Sequence, residues 1–585
     1  MNKTTLENFF SAKYFKIPKY QRDYAWDTGN IDDLFNDVTE ALETKTSHYV
    51  GTFILSRKEG ETFYNVVDGQ QRLTTLTMLV HALVAHLPDA EIEAKIIRRN
   101  HFLIADGTPR LTLLGANEAF FREILAGKAP EPDTGSQRRL KRAYKHISES
   151  VAALAAKAPT QIKKWLACVA ELEVMEFVET NDGRAIRIFQ TVNDRGRPLS
   201  NMEKAKALLI YYSNRYLDGA LDDEVSGEFG TIFRAYEAIK ELGKEPGREI
   251  NWINQGKFTE DAVMGYHFLA FESKWHDYTA TPAFVLNTFL KGSLKQDQAD
   301  SPTALTTFIK DYVTDLRAFF EALQRLVARV GTDARYFKLL STLNLSAALY
   351  PLLVRLEMRG WLDMDVPHNP GLTFRGLVET IDVRVYKLRG STAERDIART
   401  AKWAMTAAPE DIVGPLLSFV NYHANNGRMR EALEGEMYTN KAIRMIFTEY
   451  EDHLLAEAKE PARDAATLTA MAAASLSVDH VLAQEAPFEP TSRGFDDQGD
   501  YEWWLHRLGN LTLVEQAINS RALNKAPEAK AKTKNFYPES NLRMTRGLGI
   551  QIQQKTGVWS KSDIEARTAT LVDFVLGRWP LWNDA

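Results

Sequence analysis

Two short motifs, one near each end of the 585-residue chain, constrain its fold more than any other feature. The first, Asp68-Gly69-Gln70-Gln71-Arg72, follows a run of aromatic and β-branched residues and precedes a helical pattern from Leu73 to Leu87. The second begins with Val478-Asp479-His480 and continues with Gly509-Asn510-Leu511 and Asn519. The first motif predicts a strand, a turn and a helix, and the second predicts two strands followed by a helix.

The first ~215 residues mix strand and helix patterns, whereas from about residue 225 to 460 the spacing of apolar residues is predominantly helical, with proline and glycine breaks. We therefore predict an α+β, predominantly helical protein with three domains. The predicted boundaries are 1–225 for the N-terminal domain, 226–460 for a helical scaffold and 461–585 for the C-terminal domain. Near the end of the first domain, Ser200 and Glu203 have the spacing of a capping box and predict the start of a helix.

The composition excludes several classes of protein. The first ten residues lack the apolar core of a signal sequence, and no run reaches the about 20 apolar residues that span a bilayer. We therefore expect a soluble, cytoplasmic protein without membrane contact. Cys168 is the single cysteine, which excludes an intrachain disulfide and a multi-cysteine zinc site. Because the formal net charge is −6, a nucleic-acid site must be a local basic patch.

One such patch lies in the C-terminal region. Residues 505–546 contain eight Lys or Arg residues and three Glu residues. This charge suits a DNA backbone, with Arg521 and Lys525 as expected contacts. A solvated helix face has the same composition and is the alternative interpretation.

The N-terminal motif has the chemistry of a phosphate site. A helix N-terminus presents backbone N–H groups and a partial positive charge, and both suit a phosphate. Gly69 allows close approach to the main chain, and Arg72 adds a planar donor for phosphate oxygens. Asp68 could hold a metal or orient a water. The alternative is structural: Asp68 caps the helix and Arg72 forms an ion pair.

Four N-terminal segments resemble those of a known family. They are Ile17-Pro18-Lys19-Tyr20-Gln21-Arg22-Asp23-Tyr24-Ala25-Trp26, Tyr49-Val50-Gly51, Asp68 to Leu76, and Asn193-Asp194-Arg195-Gly196-Arg197-Pro198-Leu199. In this order they resemble the N-terminal domain of the GmrSD-type, modification-dependent restriction proteins, whose fold is similar to ParB and sulfiredoxin.

This resemblance implies two activities for the N-terminal domain. It implies nucleotide binding and hydrolysis at Asp68, Gln70, Gln71 and Arg72, with Gly69 in the same turn. It also implies sensing of modified DNA by Tyr20, Gln21 and Arg22. A stacking tyrosine and a phosphate-directed arginine suit that second role, although aromatic residues in this segment could equally belong to the core.

The C-terminal order of strand, loop, strand and helix resembles the ββα-metal arrangement of HNH nucleases. The nine-residue step from Asn510 to Asn519 is similar to that family's spacing. In this arrangement His480 is a general base that activates water. Asp479 and Asn519 offer oxygen ligands to one Mg²⁺ or Mn²⁺, and Asn510 fixes the loop and the imidazole. The alternative is a buried strand histidine accompanied by turn and surface amides.

The resemblance to the restriction family continues to the end of the chain. His506-Arg507-Leu508-Gly509-Asn510-Leu511-Thr512-Leu513, Trp559, and Asp563 to Arg567 resemble the C-terminal nuclease domain of the same family. One position departs from the pattern, because relatives have proline three residues after the catalytic histidine and this chain has Ala483. Proline there shapes the chain and does no chemistry, so we expect activity to survive.

These observations predict a nucleotide-regulated DNA endonuclease of the phage-defence, type IV-like restriction kind. The expected partners are double-stranded DNA, in particular modified phage DNA, and a nucleoside triphosphate such as ATP or GTP. A homodimer would allow a nuclease with one site to cut both strands. Two alternatives stay open: a DNA-binding, nucleotide-sensing regulator with an inactive nuclease domain, and an NTPase that acts with a partner nuclease.

Overall fold

The computed structural model describes residues 2–18, 21, 23–44, 48–87, 91–157, 159–180, 200–254, 256, 258–272, 281–485, 488–555 and 558–582. The chain divides into two compact units: an N-terminal unit of residues 1–237 and 286–317, and a C-terminal unit of residues 238–285 and 318–585. The described chain is α+β and mostly helical, which confirms the predicted class. The three domain boundaries and the ParB-like and HNH folds stay predictions.

The N-terminal unit contains a mixed sheet, which has six strands in the described residues. From one edge to the other the strands are Asn2–Thr5, Glu173–Glu179, Tyr49–Ser56, Phe63–Asp68, Tyr14–Lys16 and Leu111–Thr112. The central strand Tyr49–Ser56 pairs parallel with Glu173–Glu179 and antiparallel with Phe63–Asp68. A separate two-stranded ribbon joins Ile104–Ala105 to Thr108–Pro109.

Helices of the N-terminal unit bury one apolar core. Leu76 and Leu79 are fully buried in that core, together with Leu140 and Trp165 of two later helices. The helices that lie in this unit are Leu6–Ser11, Thr28–Thr44, Gln70–Ala85, Ile92–Phe102, Ala116–Leu125, Gly135–Lys157, Pro159–Glu171, Asn201–Tyr216 and Lys291–Asp300. Helices Asp222–Leu242 and Pro302–Arg329 and the π-helix Val285–Leu290 contain residues of both units.

The N-terminal motif forms the predicted strand, turn and helix. The strand ends at Asp68, Gly69 has a φ of 94°, and the helix begins at Gln70. A Cβ atom at residue 69 would overlap the ring of Phe53, so this turn needs glycine for space as well as for its backbone conformation. Tyr20, Arg22 and the segment from Asn193 to Leu199 lie outside the described residues.

The predicted capping box is present. The N–H of Glu203 donates to Ser200 Oγ at 3.1 Å, and the N–H of Ser200 donates to Glu203 Oε2 at 2.9 Å. These reciprocal bonds satisfy two backbone donors at the start of helix Asn201–Tyr216.

The C-terminal unit is mainly helical, as predicted for the middle of the chain. Its helices are Asn251–Asn254, Glu260–Phe271, Pro282–Phe284, Ala334–Phe337, Tyr350–Met358, Phe374–Ile381, Arg395–Trp403, Pro409–Ala424, Asn426–Leu433, Ile443–Glu457, Ala465–Ala473, Gln498–Leu505, Gln516–Ala522, Pro527–Lys532, Arg543–Gln554 and Lys561–Arg578. Shorter elements are the π-helices Lys338–Thr342 and Asp382–Leu388, the 3₁₀ turns Ala347–Leu349, Pro490–Arg493, Leu508–Asn510 and Tyr537–Glu539, and the ribbon of Asp365–Val366 with Asn369–Thr373. No helix of the described ranges is long and apolar enough to cross a membrane.

The second motif forms an antiparallel hairpin followed by a helix, in the predicted order. Strand Leu476–His480 pairs with Leu511–Glu515, and His480 lies opposite Leu511. Helix Gln516–Ala522 follows the second strand directly. Val481, Leu482, Tyr501 and Trp559 are buried beside this hairpin in a small apolar core, so the end of the first strand is anchored.

Candidate functional site

An open cleft lies at the end of the first hairpin strand in the C-terminal unit. Its walls come from the strand end, from helix Gln516–Ala522 with the turn that follows it, and from a segment near residue 438. The lining residues are Tyr438, Val478, Asp479, His480, Ala483, Gln484, Gln516, Asn519, Ser520, Leu523, Asn524 and Lys530. The structure therefore brings Asp479, His480 and Asn519 to one cleft.

The imidazole of His480 is buried and contacts the rings of Tyr438 and His506, which also contact each other. Its Nε2 lies 3.0 Å from Nδ1 of His506, and its ring centroid lies 4.3 Å from that of Tyr438. Burial, followed by the nearby His506 and Lys530, lowers the pKa of His480 to about 3. The ring is therefore neutral near pH 7, and its nitrogen accepts a proton more weakly than a free imidazole does.

Asp479 forms a buried ion pair. The ammonium of Lys530 donates to Asp479 Oδ1 at 3.0 Å and to Oδ2 at 3.1 Å, and the hydroxyl of Tyr537 donates to Oδ2 at 2.7 Å. Burial, and then the adjacent carboxylate, raise the pKa of Tyr537, so the phenol stays protonated and donates. Lys530 also donates to the carbonyl oxygen of His480.

Asp479 and Asn519, the two predicted cation ligands, both line the cleft. A carboxylate offers about four acceptor positions, so three hydrogen bonds leave Asp479 with room for one more ligand. The amide nitrogen of Asn519 donates to Ser477 Oγ at 2.9 Å, which leaves its amide oxygen as the atom suited to a cation. Within the described residues no group of three or more His, Cys, Asp and Glu could hold a metal. Water and a bound phosphate would supply the other ligands.

Asn510 fixes the main chain directly after strand Leu476–His480. Its side chain is fully buried, and its Oδ1 accepts from the N–H of Leu482 at 2.8 Å. Its Nδ2 donates to the carbonyl oxygen of Leu505 at 2.9 Å, at the end of helix Gln498–Leu505. One amide therefore joins the residues after His480 to those before His506. At the position where relatives have proline, the carbonyl oxygen of Ala483 accepts a hydrogen bond from the hydroxyl of Tyr501.

Gly509 allows the hairpin to contact helix Lys561–Arg578. A Cβ atom at residue 509 would overlap the carbonyl oxygen of Ile564 and lie 2.6 Å from Thr568 Oγ1. Thr568 Oγ1 accepts from the N–H of Gly509 at 3.0 Å, and Arg567 donates to the carbonyl oxygens of Gly509 and Leu511. The helix therefore supports the turn that carries Asn510.

Replacing Gly509 by alanine is expected to destabilise the C-terminal unit by about 3 kcal/mol, because the added methyl group forces the main chain away from the helix. The free energy of unfolding in urea measures the effect. Gly547→Ala is the matched control: this helical glycine has no atom within 4 Å of an added Cβ, and alanine there should raise stability by about 0.5–1 kcal/mol. Equal stability of the two variants would contradict the close packing of Gly509.

Several residues of the cleft were not found by sequence reasoning. Tyr438 comes from a segment before the predicted domain boundary at 461, and the N–H of Met437 donates to the carbonyl oxygen of His506 at 2.8 Å. Lys441 and Arg444 line a groove that continues from the cleft past Val478 and Asn519. No local pattern distinguishes these residues from an ordinary helical scaffold.

The basic patch is smaller than the sequence suggests. Lys530 is fully buried beside Asp479, and Arg507 is buried with its guanidinium donating to the carbonyl oxygen of Glu434. Arg521 and Lys525 are exposed; Arg521 lies 3.2 Å from Glu539, and Lys525 lies 5.9 Å from the ring of Phe536. The cations of Arg521 and Lys525 are therefore exposed to solvent beside the cleft, whereas those of Lys530 and Arg507 are buried.

In the N-terminal motif, Arg72 binds the main chain of the neighbouring strand. Its Nη1 donates to the carbonyl oxygen of Val50 at 2.8 Å, and its Nη2 donates to that of Thr52 at 2.9 Å. The guanidinium lies over Gly51, where a Cβ atom would overlap it, and Asp68 Oδ2 lies 3.9 Å from Nη2. Arg72 therefore holds the strand and the helix together.

The glutamines of the motif connect to the segment that contains Gln21. Gln71 accepts from the N–H of Ala25 at 2.8 Å and donates to the carbonyl oxygen of Asp23 at 3.2 Å. Gln21 donates to the carbonyl oxygen of Val67, one residue before Asp68. Asp68 accepts from the N–H of Gly69 at 2.8 Å. The structure therefore joins the two predicted N-terminal sites through hydrogen bonds.

A small cavity lies at the start of helix Gln70–Ala85. Its polar lining residues are Asp23, Gln70, Gln71, Thr74, Asn117 and Ser136. Burial raises the pKa of Asp23, and Asn117 donates to its Oδ1 at 2.8 Å. Burial lowers the pKa of the nearby Lys206 to about 7. Gln70 and Gln71 both line this cavity at the start of the helix.

Two family models match the chain, one toward each end. Residues 6–210 match the family model described as the GmrSD restriction endonuclease, N-terminal domain. Residues 424–574 match the model described as the GmrSD restriction endonucleases, C-terminal domain. The second match includes the segment of Tyr438 as well as the hairpin. A search of curated proteins found no match.

Proposed function

Because the chain belongs to the GmrSD restriction endonuclease family, we propose that it cuts modified phage DNA at the cleft beside His480, under the control of a nucleotide bound in the N-terminal unit. Family membership makes it a restriction nuclease of phage defence, with DNA as its partner. The observation that carries the proposed site is a buried imidazole in a cleft shared with a carboxylate and an amide.

The proposed chemistry is hydrolysis of a phosphodiester of the HNH type. His480 takes a proton from the attacking water, and Tyr438 and His506 hold its ring in place. Asn510 keeps the following loop fixed, so the imidazole does not move as the proton is transferred. Asp479 and Asn519 would hold one Mg²⁺ or Mn²⁺, which would neutralise charge on the scissile phosphate.

For the N-terminal unit we propose a nucleotide site at the turn of Asp68, Gly69 and Gln70, with the first backbone N–H groups of helix Gln70–Ala85 directed at phosphate. Arg72 and Gln71 act there as positioning residues, since their side chains bind main-chain atoms. The bond from Gln21 to Val67 offers a route by which sensing of modified DNA, with Tyr20 and Arg22, would affect this turn.

The positioning role of Arg72 can be tested by Arg72→Lys. A lysine cannot donate to both carbonyl oxygens in the same geometry, so we expect the N-terminal unit to lose about 2 kcal/mol of stability. Urea unfolding of the variant measures the loss, beside the exposed control Arg142→Lys, which should change little. Unchanged stability with lost nucleotide binding would instead make Arg72 a direct phosphate contact.

One observation favours an alternative, a DNA-binding, nucleotide-sensing regulator with an inactive nuclease domain. The carboxylate of Asp479 is paired with Lys530 and Tyr537, and this pairing would compete with a cation. In such a regulator the C-terminal unit would bind DNA without cutting it.

A cleavage assay separates the two functions. The full chain, with Mg²⁺ or Mn²⁺ and with ATP, GTP or neither, is incubated with unmodified, glucosylated hydroxymethylcytosine and phosphorothioate duplexes. The nuclease predicts that at least one modified duplex is cut faster than the unmodified one and that a nucleotide changes the rate. Binding of modified DNA without cleavage under every condition would support the regulator.

A further inference from the structure

The turn after helix Gln516–Ala522 has leucine where glycine is expected. The N–H of Lys525 donates to the carbonyl oxygen of Ala522 at 3.0 Å, which closes a four-residue turn. Leu523, its second residue, has φ of 42° and ψ of −134°. These angles are those of the first central position of a type II′ turn, which glycine usually occupies because a Cβ atom crowds the main chain.

Leu523 differs in chemistry from the other described non-glycine residues that have a positive φ. Among the described residues, the other non-glycine residues with positive φ are all polar or charged: Asp106, Asp218, Asn344, His368, Lys459 and Ser475. Leu523 is apolar, and 71% of its surface is exposed. The C-terminal unit therefore carries both backbone strain and exposed apolar surface at one residue.

The position of this turn connects it to the cleft. Leu523 lines the cleft, and its N–H donates to the carbonyl oxygen of Asn519 at 3.1 Å. Asn524 donates to Glu485 Oε2 at 3.0 Å, which ties the turn to the loop that follows His480. Arg521 and Lys525, both exposed, stand on either side in the sequence. An exposed apolar side chain thus lines the cleft, and two exposed cations of a kind that suits phosphates flank it in the sequence.

We propose that Leu523 is a wedge that inserts between neighbouring base pairs of duplex DNA bound in the cleft. The inference rests on the proposed function, because it requires DNA beside His480. Apolar side chains that enter a base step unstack it and kink the duplex. Insertion removes the leucine from water, and the kink turns the backbone of that step toward the catalytic cleft. The strained turn holds the side chain in its projecting orientation before DNA arrives.

Fluorescence of 2-aminopurine, which rises when the base is unstacked, tests the wedge. The full chain in the His480→Ala background is bound to the modified duplex that the wild type cuts, with 2-aminopurine placed at successive positions. We expect a severalfold rise at one step. Leu523→Ala should abolish this rise, whereas Ile550→Ala, which also removes an exposed aliphatic side chain, should retain it.

Two further measurements make the outcome decisive. Leu523→Gly should raise the midpoint of thermal unfolding of the C-terminal unit by about 2 °C, since it relieves the strain, and should cut DNA at least tenfold more slowly than wild type. The wild type could bind and cut DNA without a fluorescence rise while Leu523→Ala cuts at the wild-type rate. That result would contradict insertion by Leu523 and leave the proposed nuclease function intact. If the wild type neither binds nor cuts any duplex, the proposed function fails and the wedge with it.

Discussion

Replacement of His480 by alanine is expected to slow DNA cleavage by about 10²–10⁴-fold, the usual contribution of a general base. In the proposed site the buried imidazole is the base, and its ring contacts Tyr438 and His506. Alanine removes the proton acceptor and leaves the exposed Arg521 and Lys525 beside the cleft. DNA affinity should therefore change little. Single-turnover cleavage of an end-labelled modified duplex, with binding measured on the same duplex, gives both quantities.

The control for this variant is His453→Ala. His453 is a half-exposed histidine of helix Ile443–Glu457 whose Nε2 lies 3.4 Å from Glu457 Oε1 at the surface, and surface contacts of this kind contribute about 1 kcal/mol or less. It should therefore retain cleavage. Cleavage by His480→Ala at the wild-type rate would remove His480 from the chemistry. Equal losses in the two variants would indicate general damage to the protein.

Replacement of Lys530 by methionine is expected to destabilise the C-terminal unit by about 3–5 kcal/mol, because it leaves the buried Asp479 carboxylate without its partner. Lys530 is fully buried, and its ammonium contacts both oxygens of Asp479 and the carbonyl oxygen of His480. Urea unfolding followed by tryptophan fluorescence measures the change.

Lys532→Met is the matched control, since Lys532 lies on the same short helix with an exposed side chain. Its stability should stay within about 0.5 kcal/mol of the wild type. The double variant Asp479→Asn, Lys530→Met should recover a large part of the loss, because it removes the unpaired charge. If Lys530→Met were as stable as Lys532→Met, the ion pair would not support the cleft.

The secondary structure around the C-terminal site could be predicted because each step has a local cause. Alternating residues from Leu476 to His480, a turn at Gly509 and a helix after Glu515 are visible in the sequence, and the structure shows the hairpin and helix in that order. The amide of Asn510 is fully buried and bonded to the main chain of Leu482, and its role in orienting His480 stays a prediction.

The partners of the site residues could not be predicted in the same way. Lys530 looks like one member of a solvated basic helix, and only tertiary packing places it against Asp479. Tyr438 lies far from His480 in sequence and reaches it through the fold. The guanidinium of Arg72 is chemically suited to donate hydrogen bonds to phosphate, but it donates to the carbonyl oxygens of Val50 and Thr52 instead. Long-range contacts of this kind leave no periodic pattern in the chain.

The position of DNA in the cleft is tested most directly by photocrosslinking. The inactive His480→Ala chain is bound to a modified duplex that contains 5-iodouracil at successive positions, and the crosslinked peptides are identified by mass spectrometry. We predict adducts on the two walls of the cleft, within residues 434–444 with Tyr438 and within residues 516–525 with Leu523. Adducts confined to peptides outside residues 434–530 would contradict a DNA site beside His480.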